Sequence, residues 1–537
     1  MSSTERPSRR GDADAVVIGA GHHGLVAAAL LADAGWDVVV LEAQPEPGGA
    51  VRSAELTSGY CADMFSSFYP MAAVSPVFRA LNLEDHGLTW THAPTVVGHA
   101  RSSSDVDAPF IDRDVARTAA DLERRCAGDG EAWLRLFSQW QRVRDGLLES
   151  LFAPFPPVSG PVRLLRRLGA AGLVRFAHQL LMPATVLGEK LFEGDAPRTL
   201  LLGNAMHADV PLDAPGSGVM GFLMTMLAQD VGFPVPVGGA GRLTAALVAR
   251  ARAAGAEVEC GQRVERIEVS AGRAVGVVTA GGRRVRARRA IVADVSAPDL
   301  YQRLLPPDSV PESVHAGLAD FVWDTPVVKV NWALAQPIPW RSESLRGAGT
   351  VHLGAGVDEL VRWMADLTTG TVPARPFMLF GQMSTADPTR SPAGTETAWA
   401  YSHLPRGVAD DESARRLAAA IDDVVEQHAP GFSDNVIVRS EQLPSDLQTA
   451  DANLHAGAVN GGTAALFQQL IFRPLPGFGR PETPVQGLYL GSAAVSPGGS
   501  VHGICGRNAA RAALAADGWR GWPRRQLNRA AMSVLVG

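Results

Sequence analysis

Gly19, Gly21 and Gly24 stand in G-x-G-x-x-G spacing, and Glu42 follows 18 residues after the last of them. The chemistry open to this set is the holding of a nucleotide. Gly19 permits a tight turn, Gly21 lets backbone approach a pyrophosphate, and Gly24 lets a helix pack close to a strand. A helix that starts here aims its unpaired N–H groups and the positive end of its dipole at phosphate oxygens. A carboxylate at Glu42 can accept hydrogen bonds from a ribose. Further on, Gly48 and Gly49 allow a second close turn, where Arg52 could answer a phosphate charge or cap the turn. Asp63 lies in the next segment, near the cofactor if the chain returns to the first domain; a structural ion pair between Arg52 and Asp63 is the alternative use of both.

The elements needed to position these residues surround them in order. Residues 15–18 form an apolar run of the length of a buried parallel strand. Residues 25–34, rich in Ala and Leu, suit a helix that Gly35 can end. Residues 38–41 form a second apolar run with Glu42 at its tip. A lone glycine fingerprint would be weak in a chain with 56 glycines; strand, loop, helix, strand and acid in sequence make it specific.

The chain has 537 residues, long for one core, so two intertwined domains are expected. It is 46% hydrophobic and 19% charged, with net charge −6 and no long basic block, which argues against nucleic acid as a partner. Cys61, Cys126, Cys260 and Cys505 form no C-x-x-C pair, so neither a zinc site nor a disulfide framework is indicated, and a reducing compartment fits. No metal ligands are assigned. Residues 1–12 are polar and lack a signal-peptide core, and residues 1–13 read as a disordered leader. No run of 18 apolar residues occurs, so no transmembrane helix is expected. A cytoplasmic protein is the expectation, with membrane contact left to the segment described next.

Ser75 and Pro76 mark a short helix to Leu81, Ser75 as its cap. Residues 112–151 have helical periodicity, with Trp133, Leu136, Phe137 and Trp140 as core. Residues 161–192 are apolar with interleaved Arg163, Arg166, Arg167 and Arg175. Such a segment can lie on a membrane surface or form a buried helix with an arginine-bearing outer face, the commoner arrangement. A helix over 242–254, ended by Gly255, precedes short strands at 257–259, 263–270, 274–279, 285–287 and 290–293, the last ending in Asp294. This block returns the chain to the nucleotide-binding unit with an antiparallel meander attached. Residues 297–481 read as mixed sheet and helix; His455, Asn460 and Gln468 there are more often solvated or capping than functional. Residues 487–514 add a strand at 488–490, a tight Pro497-Gly498-Gly499 loop and a helix by 508–516, a second glycine-lined helix start.

Three blocks, GAGHHG with Glu42 and PGGAVR, PVPVGGAGRLTAAL with its meander, and GLYLGSAAVSPGGSVHG with GRNAARA, together resemble the FAD-dependent phytoene desaturase-like superfamily. That superfamily includes carotenoid desaturases, carotenoid isomerase and retinol saturase. The likeness is to its bacterial branch, itself similar to pyridine nucleotide-disulfide oxidoreductase domain-containing protein 2, and covers residues 14–70, 233–300 and 485–517. The resemblance implies an α/β fold: a Rossmann-like FAD-binding domain (14–100, 233–298 and 482–537) intertwined with an α+β substrate-binding domain carrying a helical insertion (101–232 and 299–481). It implies FAD on the Gly19–Gly24 loop. Glu42, with Ala43 beside it, would meet the adenosine ribose, and Val264 the adenine. Gly48, Gly49 and Arg52 would line the pyrophosphate and flavin side, Gly491 and Ser492 the phosphate or ribityl chain. Gly499, Ser500, Val501 and His502 would border the flavin ring.

Two departures stand out. The GGR triplet of related amine oxidases is Gly48-Gly49-Ala50 with Arg52 displaced, and Ser492 replaces the acid of the usual Gly-Asp pair. The second weakens an amine- or porphyrinogen-oxidase reading and fits a flavin oxidoreductase acting on C–C or C=C bonds of a large apolar substrate. A third reading is a flavin-bound scaffold using 161–192 and the tail with Trp519, Trp522, Arg524 and Arg525. No catalytic residue is assigned. His502 is the nearest titratable candidate for a proton acceptor, although a packed or backbone-bonded histidine is the commoner case; Cys505 reads as buried, and His22 and His23 as solvent-facing or packed. Desaturation, saturation and isomerisation all remain open.

Overall fold

The computed structural model describes residues 11–536. The expected leader lies outside the described residues except for its last three, and the first strand, Asp12–Ile18, begins inside it. This strand pairs in parallel with Val38–Leu41 on one side and Arg284–Ala293 on the other. Glu257–Glu259 and Leu488–Leu490 extend the sheet in parallel at either end. The helix His22–Asp33 is buried on nearly all sides, as its Ala- and Leu-rich sequence requires. It packs between Ala240–Ala253 and Ile504–Ala516. An α/β nucleotide-binding core is thus assembled from three distant stretches of chain.

The meander forms as expected: Val264–Ser270 pairs antiparallel with Arg273–Thr279, which pairs antiparallel with the start of Arg284–Ala293. The two short strands expected at 285–287 and 290–293 are one ten-residue strand. Arg288 and Arg289 break its apolar pattern because they lie at a bulge, where the pairing slips between Ala13 and Ala15. Both face Asp14, at 3.0 and 3.2 Å.

A second seven-stranded sheet runs in the order Val436–Gln442, Val327–Leu334, Glu396–His403, Met378–Gln382, Ala348–Leu353, Thr95–Ala100, Phe110–Ile111. The first unit was expected to hold the chain to residue 100; instead Thr95–Ala100 belongs here, parallel to Ala348–Leu353. One face, with Val330, Trp332, Phe380 and Ala400, packs on the helix Asp411–His428. The other face carries polar and aromatic side chains.

The expected helix over 112–151 is two, Val115–Arg125 and Asp129–Leu151, with Trp133 and Trp140 fully buried. Helix Pro76–Leu81 starts as expected, with Ser75 Oγ accepting from the Val77 and Phe78 N–H groups. The arginine-rich segment is only partly buried. Its helical stretch Ser159–Leu181, broken at Gly169 (φ +67°), packs on Asp129–Leu151 and Ser217–Asp230, buries Gly160, Leu164 and Phe176, and leaves Val174, Leu181 and the preceding Val158 more than half exposed. Among the described residues no helix is long and apolar enough to cross a membrane.

Candidate cofactor and active site

The first strand ends in the glycine loop because Gly19 takes φ +96°, a conformation that L side chains avoid. The loop is tight against its neighbours. A Cβ on Gly24 would stand 2.2 Å from the Gly19 carbonyl oxygen, and one on Gly21 would stand 2.7 Å from Asp294 Oδ2. Asp294, at the end of Arg284–Ala293, accepts a 2.8 Å hydrogen bond from the Gly24 N–H. Sequence reasoning noted Asp294 as a strand end and missed it as a site residue. Burial pushes its carboxyl up to about 8, reinforced by Asp451 and Glu42 and opposed by the Gly24 N–H.

Glu42 is buried at the tip of its strand. Its Oε2 accepts from Ala20 N–H at 2.7 Å and its Oε1 from Gln44 N–H at 2.8 Å, so it braces the glycine loop and the next turn; Ala43 beside it is half-buried. The Gln262 N–H donates to the Glu42 carbonyl at 2.7 Å, which brings the meander, and Val264 at its start, to this corner. The Gly48 N–H donates to Ala20 O at 2.9 Å, and Gly48 bridges Gly21. A Cβ on Gly49 would lie 3.4 Å from Gly21 Cα. The result is a cradle of bare backbone that any side chain would fill, as an extended dinucleotide needs. Arg52 is not paired with Asp63. Its Nε donates to Gly49 O at 3.0 Å and its Nη2 to Ala450 O at 2.9 Å, with the guanidinium 5.1 Å from the Phe65 ring.

The C-terminal block meets the same corner. The Gly491 N–H donates to Ala293 O at 2.8 Å, and Ser492 Oγ donates to Val295 O at 2.6 Å, both beside Asp294. Beyond them, a Cβ on Gly499 would lie 2.8 Å from Asn460 Oδ1, and Ser500 has φ +88°. Val501 is buried in the core shared with the glycine-loop helix.

His502 is a packed histidine. It is 1% exposed, its Nδ1 accepts from the Ile504 N–H at 3.0 Å, and its carbonyl accepts from Ser75 Oγ at 2.7 Å. Burial, then His22, pushes it down to about 3, which favours the neutral ring. His23 is buried 5.1 Å from it, centroid to centroid. The ligand-type atoms of His23, His502 and Cys505 lie within 4.8 Å of one another, yet they are a poor donor set. The Nδ1 lone pair of His502 is spent on an amide, which leaves its proton on Nε2. Cys505 Sγ faces the Val495 and Gly498 carbonyls at 3.6 and 3.8 Å, and burial pushes the thiol up to about 12.

Facing this corner is the polar side of the second sheet. Lys329, Tyr401, Leu379, His352 and His99 form one row in register across five strands. Lys329 is buried; its Nζ donates to the Asp63 carbonyl and, at 3.0 Å, to Phe65 O, and stands 5.2 Å from the Trp399 ring. Burial brings its amine down to about 7. Asp63 Oδ1 accepts from Ser53 Oγ and the Ala240 N–H, each at 2.8 Å, and Oδ2 pairs with Arg390. The Asp209 carboxylate meets His403 Nε2 at 2.9 Å and Asn460 Nδ2 at 3.0 Å. Gln468 caps Val322 and His455 stacks on Trp323, so of the three residues noted in that region only Asn460 borders the site. Sequence could have flagged Lys329 and Asn331 by their period-two spacing inside an apolar strand. It could not have paired Lys329 with the Asp63 carbonyl, 266 residues away, or Asn331 with Gln442, 111 residues away.

Residues 24–514 match the family model of flavin containing amine oxidoreductases, and the chain belongs to that family. It is a FAD-dependent oxidoreductase, and the glycine cradle described above fits the cofactor. Among its relatives is pyridine nucleotide-disulfide oxidoreductase domain-containing protein 2 of Rattus norvegicus, 29% identical over 93% of this chain and 92% of that protein. The zeta-carotene-forming phytoene desaturase of Myxococcus xanthus is 31% identical over 54% of this chain and 55% of its own. The lycopene-forming phytoene desaturase of Pseudescherichia vulneris is 24% identical over 93% and 98%. An oxidoreductase from Methanosarcina mazei superposes with TM-score 0.61 at 15% identity, covering 93% of this chain and 99% of that one. Putrescine oxidase bound to putrescine gives 0.58 at 17% over 94% and 98%; both show the shared fold.

Proposed function

We propose that this oxidoreductase acts on carbon–carbon bonds of a large apolar, isoprenoid or polyene-like substrate that it meets at a membrane surface. The observation that carries the reading is the exposed apolar surface around helix Ser159–Leu181. The segment 466–472 runs between the two ends of that helix. The Gly216 N–H binds Leu181 O at 2.9 Å, and a Cβ on Gly216 would stand 2.5 Å from Leu466. At the other end, Gly479 lies between Ile471 and Phe155. Phe467, Leu470 and Phe472 are 63, 51 and 45% exposed there, next to the exposed Val158 and Leu181. Arg163, Arg166, Arg167 and Arg175 belong to the same helical stretch, and exposed apolar side chains on an arginine-rich helical segment are a pattern of interfacial binding. A small soluble amine needs no such face; a lipid-dissolved polyene does. The relatives named for phytoene desaturation support the same class.

FAD would be held by Gly19, Gly21, Gly24, Glu42, Ala43, Gly48, Gly49, Arg52, Val264, Gly491 and Ser492, with Gly499, Ser500, Val501 and the packed His502 bordering its ring. When bound it accepts or returns a hydride. The chain orients the substrate bond and excludes water, with the polar face of the second sheet as the opposite wall. We infer a cofactor unit of residues 14–94, 233–298 and 482–537 and a substrate unit from the rest. The stacked pair Trp399 and Tyr401, 5.9 Å apart, favours a second reading, an amine substrate against an aromatic wall.

Anaerobic titration of the holoenzyme separates them. Polyenes or isoprenoids presented in vesicles are expected to bleach the flavin, while di- and polyamines leave it oxidised. Bleaching by an amine alone overturns the proposal, and no bleaching by either class favours the scaffold.

A further inference from the structure

Asp294 has no place in the nucleotide-holding set read from the sequence, yet it is the side chain lodged deepest in the glycine loop. Its Oδ2 takes the Gly24 N–H at 2.8 Å, its carbonyl accepts from Asn453 Nδ2 at 3.1 Å, and Cβ atoms built on Gly19, Gly21 and Gly24 would each fall within 3.1 Å of it. It is 7% exposed. The groups that face it are mostly acidic. Glu42, on the neighbouring strand, binds Ala20 in the same loop. Asp451 follows the helix Pro444–Ala450, with Oδ2 placed 3.2 Å from where a Gly49 Cβ would lie. Cys505, on the third packed helix, is a neutral thiol. Arg52 acts on Asp451 and spends its donors on the Gly49 and Ala450 carbonyls. A dinucleotide brings a negatively charged diphosphate to the N-terminus of this same helix. Three ionised carboxylates and a diphosphate around one loop, with one guanidinium, would repel strongly at low local dielectric.

We propose that Asp294 is a cofactor-positioning residue that holds the glycine loop as the neutral acid whenever FAD is bound, so that FAD binding takes up a proton. As the neutral acid, Asp294 can still accept from the Gly24 N–H through one oxygen. The inference rests on the family's FAD being held at this loop.

The sign follows from linkage. In the protein without cofactor the Asp294 carboxyl is raised to about 8. Below that pH it is already protonated, so binding takes up nothing and affinity is flat. Above it the free protein is ionised, one proton must be taken up, and affinity falls by about tenfold per pH unit.

The test measures FAD affinity of reconstituted apoprotein by flavin fluorescence between pH 6.5 and 9.5, in wild type and in Asp294→Asn, which keeps the shape and the acceptor for Gly24. Calorimetry at pH 9 in two buffers of different ionisation enthalpy counts protons on the wild type alone, so the proposal stays testable if the variant folds poorly. Expected are a more than tenfold loss of wild-type affinity from pH 7.5 to 9.5, proton uptake approaching one per FAD, and a flat profile for Asp294→Asn. A flat wild-type profile, no proton uptake, or an undiminished slope in Asp294→Asn overturns it. Failure to bind FAD at any pH would instead overturn the cofactor assignment.

Discussion

Arg390 is the joint whose loss should be most costly. Its guanidinium and the Asp63 carboxylate are both fully buried. Asp63 binds Ser53 and the start of helix Ala240–Ala253, while Arg390 comes from the second-sheet half and also reaches the Cys61 carbonyl at 3.3 Å. Asp387 stands 3.3 Å from the same guanidinium. Arg390→Met keeps most of the volume and leaves Asp63 buried without its cation, which costs about 3–5 kcal/mol. For a chain of 537 residues the unfolding entropy is roughly 1 kcal/mol per kelvin, so a cooperative melt should drop by about 3–5 °C. The assay is urea unfolding followed by tryptophan fluorescence, run as a cycle with Asp63→Asn and the double variant. The double variant should recover more than half of the loss, because it removes the stranded charge. Arg390→Met within about 1 kcal/mol of wild type, or an additive cycle, would refute the reasoning.

Two other outcomes are expected. Gly24→Ala places a Cβ 2.2 Å from backbone, which cannot rotate away, so the loop must shift. The protein should purify with little flavin and rebind FAD at least about tenfold more weakly, by flavin fluorescence. Lys329 is lowered to about 7 in the folded chain, against 10.5 for the ordinary amine. Its folded state therefore carries the cost of a buried charge in full below pH 7, and that cost is released as pH rises from 7 towards 10.5. Wild type should gain stability relative to Lys329→Met over that range, by up to several kcal/mol in urea unfolding; a constant difference would mean that Lys329 titrates normally.

Much of the cofactor half was legible because its signals are local. The Gly19–Gly24 loop, its helix and Glu42 lie within one short segment, and the Gly491 and Gly499 turns lie within another. Each rests on backbone conformation and hydrophobic period, which neighbouring residues determine. The bulge at Arg288 and Arg289 misled the strand assignment because its cause, Asp14, is on another strand. The stretch Ser159–Leu181 packs on Asp129–Leu151, but amphipathic composition does not say how much of it a partner element covers.

The α/β fold was legible from local sequence alone, and FAD from the family resemblance. Which titratable groups meet at the glycine loop came only with the tertiary structure. It moved His502 from candidate base to packed ring, because an amide already holds its Nδ1. It separated Arg52 from Asp63 and gave Asp63 to Arg390, 327 residues away. It set Asp294 into the glycine loop, with a carboxyl against the Gly24 N–H. Burial and charge neighbours are properties of the folded chain, and protonation follows from them.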